Sequence, residues 1–360
     1  MIDLFKQRRE LVLVYYHHPR LFTNFVEESN AGRKMLKDRY GRSLNYLRMA
    51  VTDKCNLRCR YCMPEKGLKF LNNKNLLSSD EIVQICELFS RHGVDKIRIT
   101  GGEPFVRHDL PMIIERIAPL FRSVNVTTNA TLIEDHIDTL RIPNIGSLNI
   151  SLDSQDPLTF LAITKRDSFD RVWGNIMTCY NAGIRIKINM VVMKDINDHE
   201  IPAFLELARK YNMDVRFIEA MPFNEYDENE GLLMDYISIL QRIESCYPKV
   251  RQIRSVPEKS ASLKYEIPGF KGNVGIIPAY SRTICGNCNR IRLTADGQLM
   301  NCLYATKGMS VRDLIRNGES NEVIMTEVRS YLHDKPRDGF EAEDQRVETE
   351  GFQSMTRIGG

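Results

Sequence analysis

Residues 46–62 read YLRMAVTDKCNLRCRYC, and the fold turns on how that stretch divides. Its first half sets Arg48 between Leu47 and Met49, the two-residue period of a strand, predicted over Tyr46–Thr52. Its second half places Cys55, Cys59 and Cys62 in a loop directly after that strand. A strand that delivers chemistry-bearing side chains at its carboxyl end is the repeating unit of a parallel α/β fold.

Working outward, the unit recurs. Further strands are predicted over Val94–Thr100, Ser123–Thr128, Ser147–Leu152, Ile184–Met193 and Asp214–Ala220. Helices with readable ends lie between them. Ser79 with Asp80 and Glu81 opens one that stops at Gly93, Ser168 with Asp170 opens another that stops at Gly183, and Asn197 with Asp198 opens a third before Ile201. Strand, helix, strand order with crossovers of this length calls for parallel pairing, and crossovers of one hand curl the sheet. The expected fold is α/β, a partial (β/α)6 TIM-like barrel over residues 35–225. The repeat then stops at the acidic run 225–230. Short strands are expected around Val274–Pro278 and Ile291–Thr294, and residues 226–360 are read as a separate appended layer. Residues 1–34 lack the repeat and are read as a poorly ordered extension. A metal site at the adjacent His17 and His18 is disfavoured, because two neighbours on one backbone rarely supply a coordination shell.

The unusual residues fall at the predicted strand ends. Gly101-Gly102-Glu103-Pro104 follows the second strand, Thr127-Thr128-Asn129 closes the third and Ser151-Leu152-Asp153 the fourth. Lys187 and Asn189 lie on the fifth; Arg216 and Glu219 lie on the sixth, just before Met221. In parallel barrels these ends share the face that hosts the active site.

Nine cysteines is an odd number, and a chain of 360 residues does not need disulfide staples, so metal or redox chemistry is the better account. Thiolates are soft ligands, suited to zinc or iron–sulfur clusters. Structural zinc expects four protein ligands. Neither Cys55-Cys59-Cys62 nor Cys285-Cys288-Cys302 has a His or a fourth Cys within twenty residues. Three thiolates on a four-iron cube would leave one iron open to a small molecule. Cys86 and Cys179 sit on apolar helical faces and read as core; Cys246 is uninformative.

Arg290 and Arg292 alternate on one face of a short strand, and Arg48, Arg98 and Lys187 alternate with apolar neighbours on theirs. Cations aimed into a barrel are costly unless an anion meets them. Two anions are open at this point: the carboxylates of Glu103, Asp153 and Glu219, or a phosphate-bearing substrate gripped by planar guanidinium groups. The chain has no G-x4-G-K-[ST] stretch, so a nucleotide would not be held as in P-loop enzymes. Fifty Lys and Arg against 47 Asp and Glu give a net charge of +3, too small for a nucleic-acid track. The longest strongly apolar stretch, Leu11 to Tyr16, is far too short to span a bilayer, so no membrane partner and a cytoplasmic location are expected.

Cys55-x3-Cys59-x2-Cys62 with Tyr61, combined with Gly101-Gly102-Glu103-Pro104, resembles the radical S-adenosylmethionine (SAM) superfamily. The likeness continues through Leu47-Arg48, Val51 to Asn56, Met63-Pro64, Arg98-Ile99-Thr100, Cys288 to Leu293 and Ile358-Gly359-Gly360. Over residues 35–360 the chain thus resembles the GTP 3',8-cyclase family, which opens molybdenum cofactor biosynthesis. The resemblance implies a [4Fe–4S] cluster on Cys55, Cys59 and Cys62, with Tyr61, Gly102, Ser151 and Met221 contacting SAM. It implies a second [4Fe–4S] cluster on Cys285, Cys288 and Cys302, and GTP among Arg48, Arg98, Thr127, Lys187, Arg216, Arg290 and Arg292. Arg98, Arg290, Arg292 and the terminal Gly359 and Gly360 are the implied catalytic residues. The implied chemistry is reductive SAM cleavage, hydrogen removal from C3' of the ribose and attack on guanine C8. The implied partners are a low-potential electron donor and the cyclic pyranopterin monophosphate synthase that takes the product; a homodimer is left open. The chain departs from the family pattern at Ala130, where Gly is usual, and at Ala50, where Ser is usual. The rivals are a peptide-modifying radical enzyme with an auxiliary cluster and a zinc-binding protein without activity.

Overall fold

Alternation places β1 at Tyr46–Ala50, and the same period yields β2 (Lys96–Thr100), β3 (Ser123–Thr128), β4 (Ile145–Ser151), β5 (Ile186–Val192) and β6 (Asp214–Glu219). These belong to a computed structural model that describes residues 35–63, 70–221, 231–253, 262–305, 307–345 and 356. The N-terminal extension, with His17 and His18, and the terminal Gly359 and Gly360 lie outside the described residues. Each of the six strands pairs in parallel with the next.

The helices that return the chain between strands bury one face each. The helix Ser79–Arg91 has its cap one residue before the predicted one. Ser78 is the true N-cap, its hydroxyl accepting from the Glu81 amide while the Glu81 carboxylate accepts from the Ser78 amide. Ile82, Ile85, Cys86 and Phe89 form its buried stripe, and Cys179 is buried on the helix Phe169–Asn181, so both cysteines belong to the core.

The region after residue 225 adds its strands to the barrel's own sheet. Its strands are β7 (Arg251–Gln252), β8 (Leu263–Glu266), β9 (Val274–Ile277), β10 (Arg290–Leu293), β11 (Gln298–Met300) and β12 (Met309–Ser310), and all join the same sheet. The order is β12-β11-β10-β1-β2-β3-β4-β5-β6-β9-β8-β7. β9 adds in parallel to β6 at one edge and β10 adds in parallel to β1 at the other, so eight consecutive strands run parallel rather than six. The unpaired backbone edges of β1 and β6 are the physical reason: a buried edge must find hydrogen-bond partners. β9 and β10 do not pair with each other, so the barrel has an open seam, which the connector 278–289 crosses. Among the described residues, no helix is long and apolar enough to cross a membrane.

Candidate active site

The cysteine loop after β1 is fastened from both sides. The amides of Arg58 and Arg60 donate to the carbonyls of Thr164 and Ile163 at 2.9 and 3.0 Å, and Arg58 Nη1 donates to the Cys55 carbonyl at 2.6 Å. Beneath it runs the glycine stretch: the Gly102 amide donates to the Thr52 carbonyl at 2.9 Å and the Glu103 amide to that of Lys54 at 2.8 Å. A Cβ at position 102 would collide with the Lys54 carbonyl, so only glycine lets the two loops lie this close. Glu103 is fully buried and accepts from Thr128 Oγ1 and the Asn129 and Phe105 amides; burial pushes its carboxyl up to about 7. Asn129, braced in this way, points its side-chain amide at Cys55 Sγ, 3.8 Å away. Tyr61 donates its hydroxyl to Asp153 at 2.8 Å, and Asp153, raised to about 6 by burial, also accepts from the Val191 amide.

Below this rim the strand period and register stack cations in rows. Arg292, Arg48 and Arg98 are direct neighbours across β10, β1 and β2; one step lower, Arg290, Tyr46 and Lys96 are neighbours in the same way. Like charges opposite one another are destabilising. Burial and then Arg292 and Arg98 hold Arg48 well below its ordinary value, and burial and Arg290 bring Arg292 down to about 10. Arg216 is likewise lowered to about 10 by burial and Arg98. Lys187 is lowered to about 8 by burial and Arg216, although Asp214 lies 3.4 Å away. Arg98 is aimed by two hydroxyls: its Nε donates to Tyr46 at 2.6 Å and its Nη1 to Thr127 at 3.1 Å.

The carboxylates proposed from sequence as the cations' partners are committed elsewhere. Glu103 and Asp153 are bonded as described, and Glu219 accepts from the Tyr236 amide and from both the amide and hydroxyl of Ser281.

The second trio stands in the seam. Cys285 and Cys288 flank a short turn in the connector, and Cys302 follows β11. Burial pushes the Cys288 thiol up, but Lys335, Arg290 and Arg292 outweigh it and bring the group down to about 6. All nine cysteines are free thiols, and among the described residues no three His, Cys, Asp or Glu side chains close around a single ion. Donor sets made of sulfur alone, three thiols in each, are the ligand chemistry of iron–sulfur clusters.

One cavity of about 710 Å³ joins all of this, a size typical of small-molecule sites. It is lined by Cys55, Cys59, Tyr61, Cys62, Gly102, Ser151 and Met221 at the rim, by Arg48, Arg98, Thr127, Lys187, Arg216, Arg290 and Arg292 along the wall, and by Cys285, Cys288 and Cys302 in the seam. Thr356 also lines it. The sequence reading overlooked Tyr46, which its two-residue offset from Arg48 would have found, and Lys335, for which the sequence carries no signal. Ala130 adopts φ +62° with its side chain buried, the left-handed conformation in which the family's usual glycine is unstrained.

The profile of the Radical SAM superfamily matches residues 49–208, and that of Molybdenum Cofactor Synthesis C matches residues 213–340. Among curated proteins the chain is similar to the GTP 3',8-cyclase of Thermodesulfovibrio yellowstonii, at 38% identity over 90% of this chain and 100% of that one. It is similar to the mitochondrial GTP 3',8-cyclase of Arabidopsis thaliana at 37% identity, over 82% of this chain and 77% of that one. It matches Molybdenum cofactor biosynthesis protein 1 of Dictyostelium discoideum at 38% identity over 83% of its own length but spans only 48% of that protein. The chain thus covers about half the length of several curated relatives. Among solved structures, Streptococcus suis SuiB bound to S-adenosylmethionine superposes with a TM-score of 0.58 at 12% identity, over 91% of this chain and 70% of that one, a likeness of fold alone. With the matched profiles, the full-length likeness to a curated cyclase and the cavity geometry in agreement, the chain belongs to the GTP 3',8-cyclase family of the radical SAM superfamily.

Proposed function

We propose that the chain converts GTP to 3',8-cyclo-7,8-dihydro-GTP, the first step of molybdenum cofactor biosynthesis. The observation that carries this reading is the row Arg292, Arg48 and Arg98, set between two cysteine trios in one cavity. Mutually repelling guanidinium groups are worth keeping where a polyanion compensates them, and a triphosphate does so. Cys55, Cys59 and Cys62 would hold a [4Fe–4S] cluster, and Cys285, Cys288 and Cys302 a second. With SAM bound there, such a cluster would supply reductive radical chemistry able to take hydrogen from the ribose.

The chain's own residues then bind, orient and exclude water. Gly102, Ser151 and Met221 line the rim where SAM would lie. Tyr61, held by Asp153, fixes the end of the cysteine loop. Arg98, aimed by Tyr46 and Thr127, and Arg48, Lys187, Arg216, Arg290 and Arg292 would grip the triphosphate and purine. Gly359 and Gly360 would complete the site from the C-terminus. A low-potential electron donor and a synthase that consumes the product complete the proposal, in a reducing, cytoplasmic setting that suits thiols which must stay free for iron.

Anaerobically reconstituted protein given SAM, reductant and GTP should yield 5'-deoxyadenosine together with a cyclised nucleotide. Deoxyadenosine without nucleotide conversion would sink the GTP reading and favour a peptide substrate; colourless protein holding zinc and no iron would end the radical reading.

A further inference from the structure

Cys288 and Cys302 come from two separate segments, the seam connector and the turn after β11, and a third segment ties them together. Lys335, just beyond the helix Asn321–His333, is only 3% exposed and lines the cavity. Its ammonium donates to the carbonyl of Arg290 at 3.1 Å and also to the carbonyl of Asn301. Those carbonyls stand two residues after Cys288 and one before Cys302. The same segment reaches Cys285. Arg42 donates to the carbonyls of Cys285, Pro336 and Arg337 at 3.2, 2.6 and 2.6 Å.

The two cations of this cradle differ in one respect. Arg42 has a carboxylate, Asp38, within 2.5 Å. Lys335 meets two carbonyl dipoles and, among the described residues, no carboxylate. A buried ammonium of this kind is costly unless an anion compensates it. Cys288 stands two residues before the Arg290 carbonyl that Lys335 holds and lines the same cavity, so the charge that compensates the ammonium would be that of the thiolates and the cluster they carry. Positive charge and hydrogen bonds around cluster sulfurs stabilise the reduced, more negative state.

We propose that Lys335 is a positioning residue for the second iron–sulfur centre, clamping the segments that carry Cys288 and Cys302 and raising the reduction potential of the cluster they hold. This rests on the reading that the second trio binds a cluster.

The test uses the full chain with Cys55, Cys59 and Cys62 changed to alanine, so that iron and spectra report the second centre alone. Paramagnetic resonance during a redox titration gives its midpoint potential in that parent and after Lys335→Gln or Lys335→Arg. At equal iron content, Lys335→Gln should move the midpoint to more negative values and Lys335→Arg should hold it near the parent. Loss of iron from Lys335→Gln with retention in Lys335→Arg also supports the charged clamp. An unmoved midpoint in Lys335→Gln, equal shifts in both variants, or loss of iron from both overturns the role. A parent that binds no iron in this background overturns the cluster reading, and does so before any Lys335 variant is compared.

Discussion

The two cysteine trios are delivered by different means, and Cys288 of the second has neighbours of opposite charge to those of the first. Cys55, Cys59 and Cys62 share one short loop, whose shape follows from the strand before it and the glycines beneath it. Burial pushes their thiols up, Cys55 to about 11 and Cys62 to about 12, with Glu103 acting on the former and Asp153 on the latter in the same direction. Cys285, Cys288 and Cys302 come from two segments held by a third, and Lys335, Arg290 and Arg292 surround Cys288 with positive charge. If each trio holds a cluster as proposed, the acidic neighbours of the first would disfavour added electrons there, and the basic neighbours of Cys288 would favour them in the second.

The strongest test of that division is to remove one sulfur from each side. Cys59→Ala should abolish 5'-deoxyadenosine formation, whereas Cys288→Ala should retain a measurable fraction of it and lose the cyclised nucleotide. Chromatography of both products checks this, and equal loss of SAM cleavage in the two variants would erase the distinction. Next comes the cation row. Arg48→Met should raise KM for GTP about 10- to 150-fold, the worth of a charged hydrogen bond of about 1.5–3 kcal/mol, with KM for SAM little changed. The same substitution should not lower the thermal midpoint of nucleotide-free protein, because it relieves repulsion from Arg292 and Arg98.

A smaller effect follows from Lys187. Its ammonium titrates at about 8, and a bound triphosphate favours the charged form, so GTP affinity should weaken as pH rises through about 8. Asp214 stays ionised throughout, since Asn273 and Lys187 outweigh the burial that pushes it up. The linkage for folding runs the other way. The unfolded lysine keeps its proton to about 10.5, so this group makes the nucleotide-free fold more stable as pH climbs from about 8 toward that value. Calorimetric titration of GTP between pH 7 and 9.5 checks the first statement, and Lys187→Arg should flatten the profile. The smallest effect is expected at Ala130→Gly. Relief of a left-handed conformation, about 1–2 kcal/mol, is offset by the greater chain entropy of glycine, about 0.5–1 kcal/mol, and by a lost buried methyl. Denaturant midpoints should therefore differ by less than about 1 kcal/mol; a larger loss would mean that the methyl's packing beside Asn129 matters more than the backbone.

What the sequence disclosed about these regions follows the same contrast. The first trio, its glycine platform and the strand ends were legible because each is set by contacts within one βα unit, where period and turn chemistry speak directly. The inward arginines were legible singly, from alternation, but not as rows, because register between β10, β1 and β2 depends on strands up to 240 residues apart. The joining of β9 and β10 to the barrel edges left no local trace, since any short apolar strand satisfies an edge. Lys335 sits beside a proline in a turn with no period, so only its distant carbonyl partners reveal what it does.

The unjoined flanks of β9 and β10 settle how wide the molecule's bore can be. A closed ring of eight strands has a girth dictated by its own ladder, and side chains plug the middle. Freed from that closure, this sheet can stand open by the span of a twelve-residue strap. The breadth of the cavity of about 710 Å³ is therefore set by two hydrogen-bonding edges that never meet.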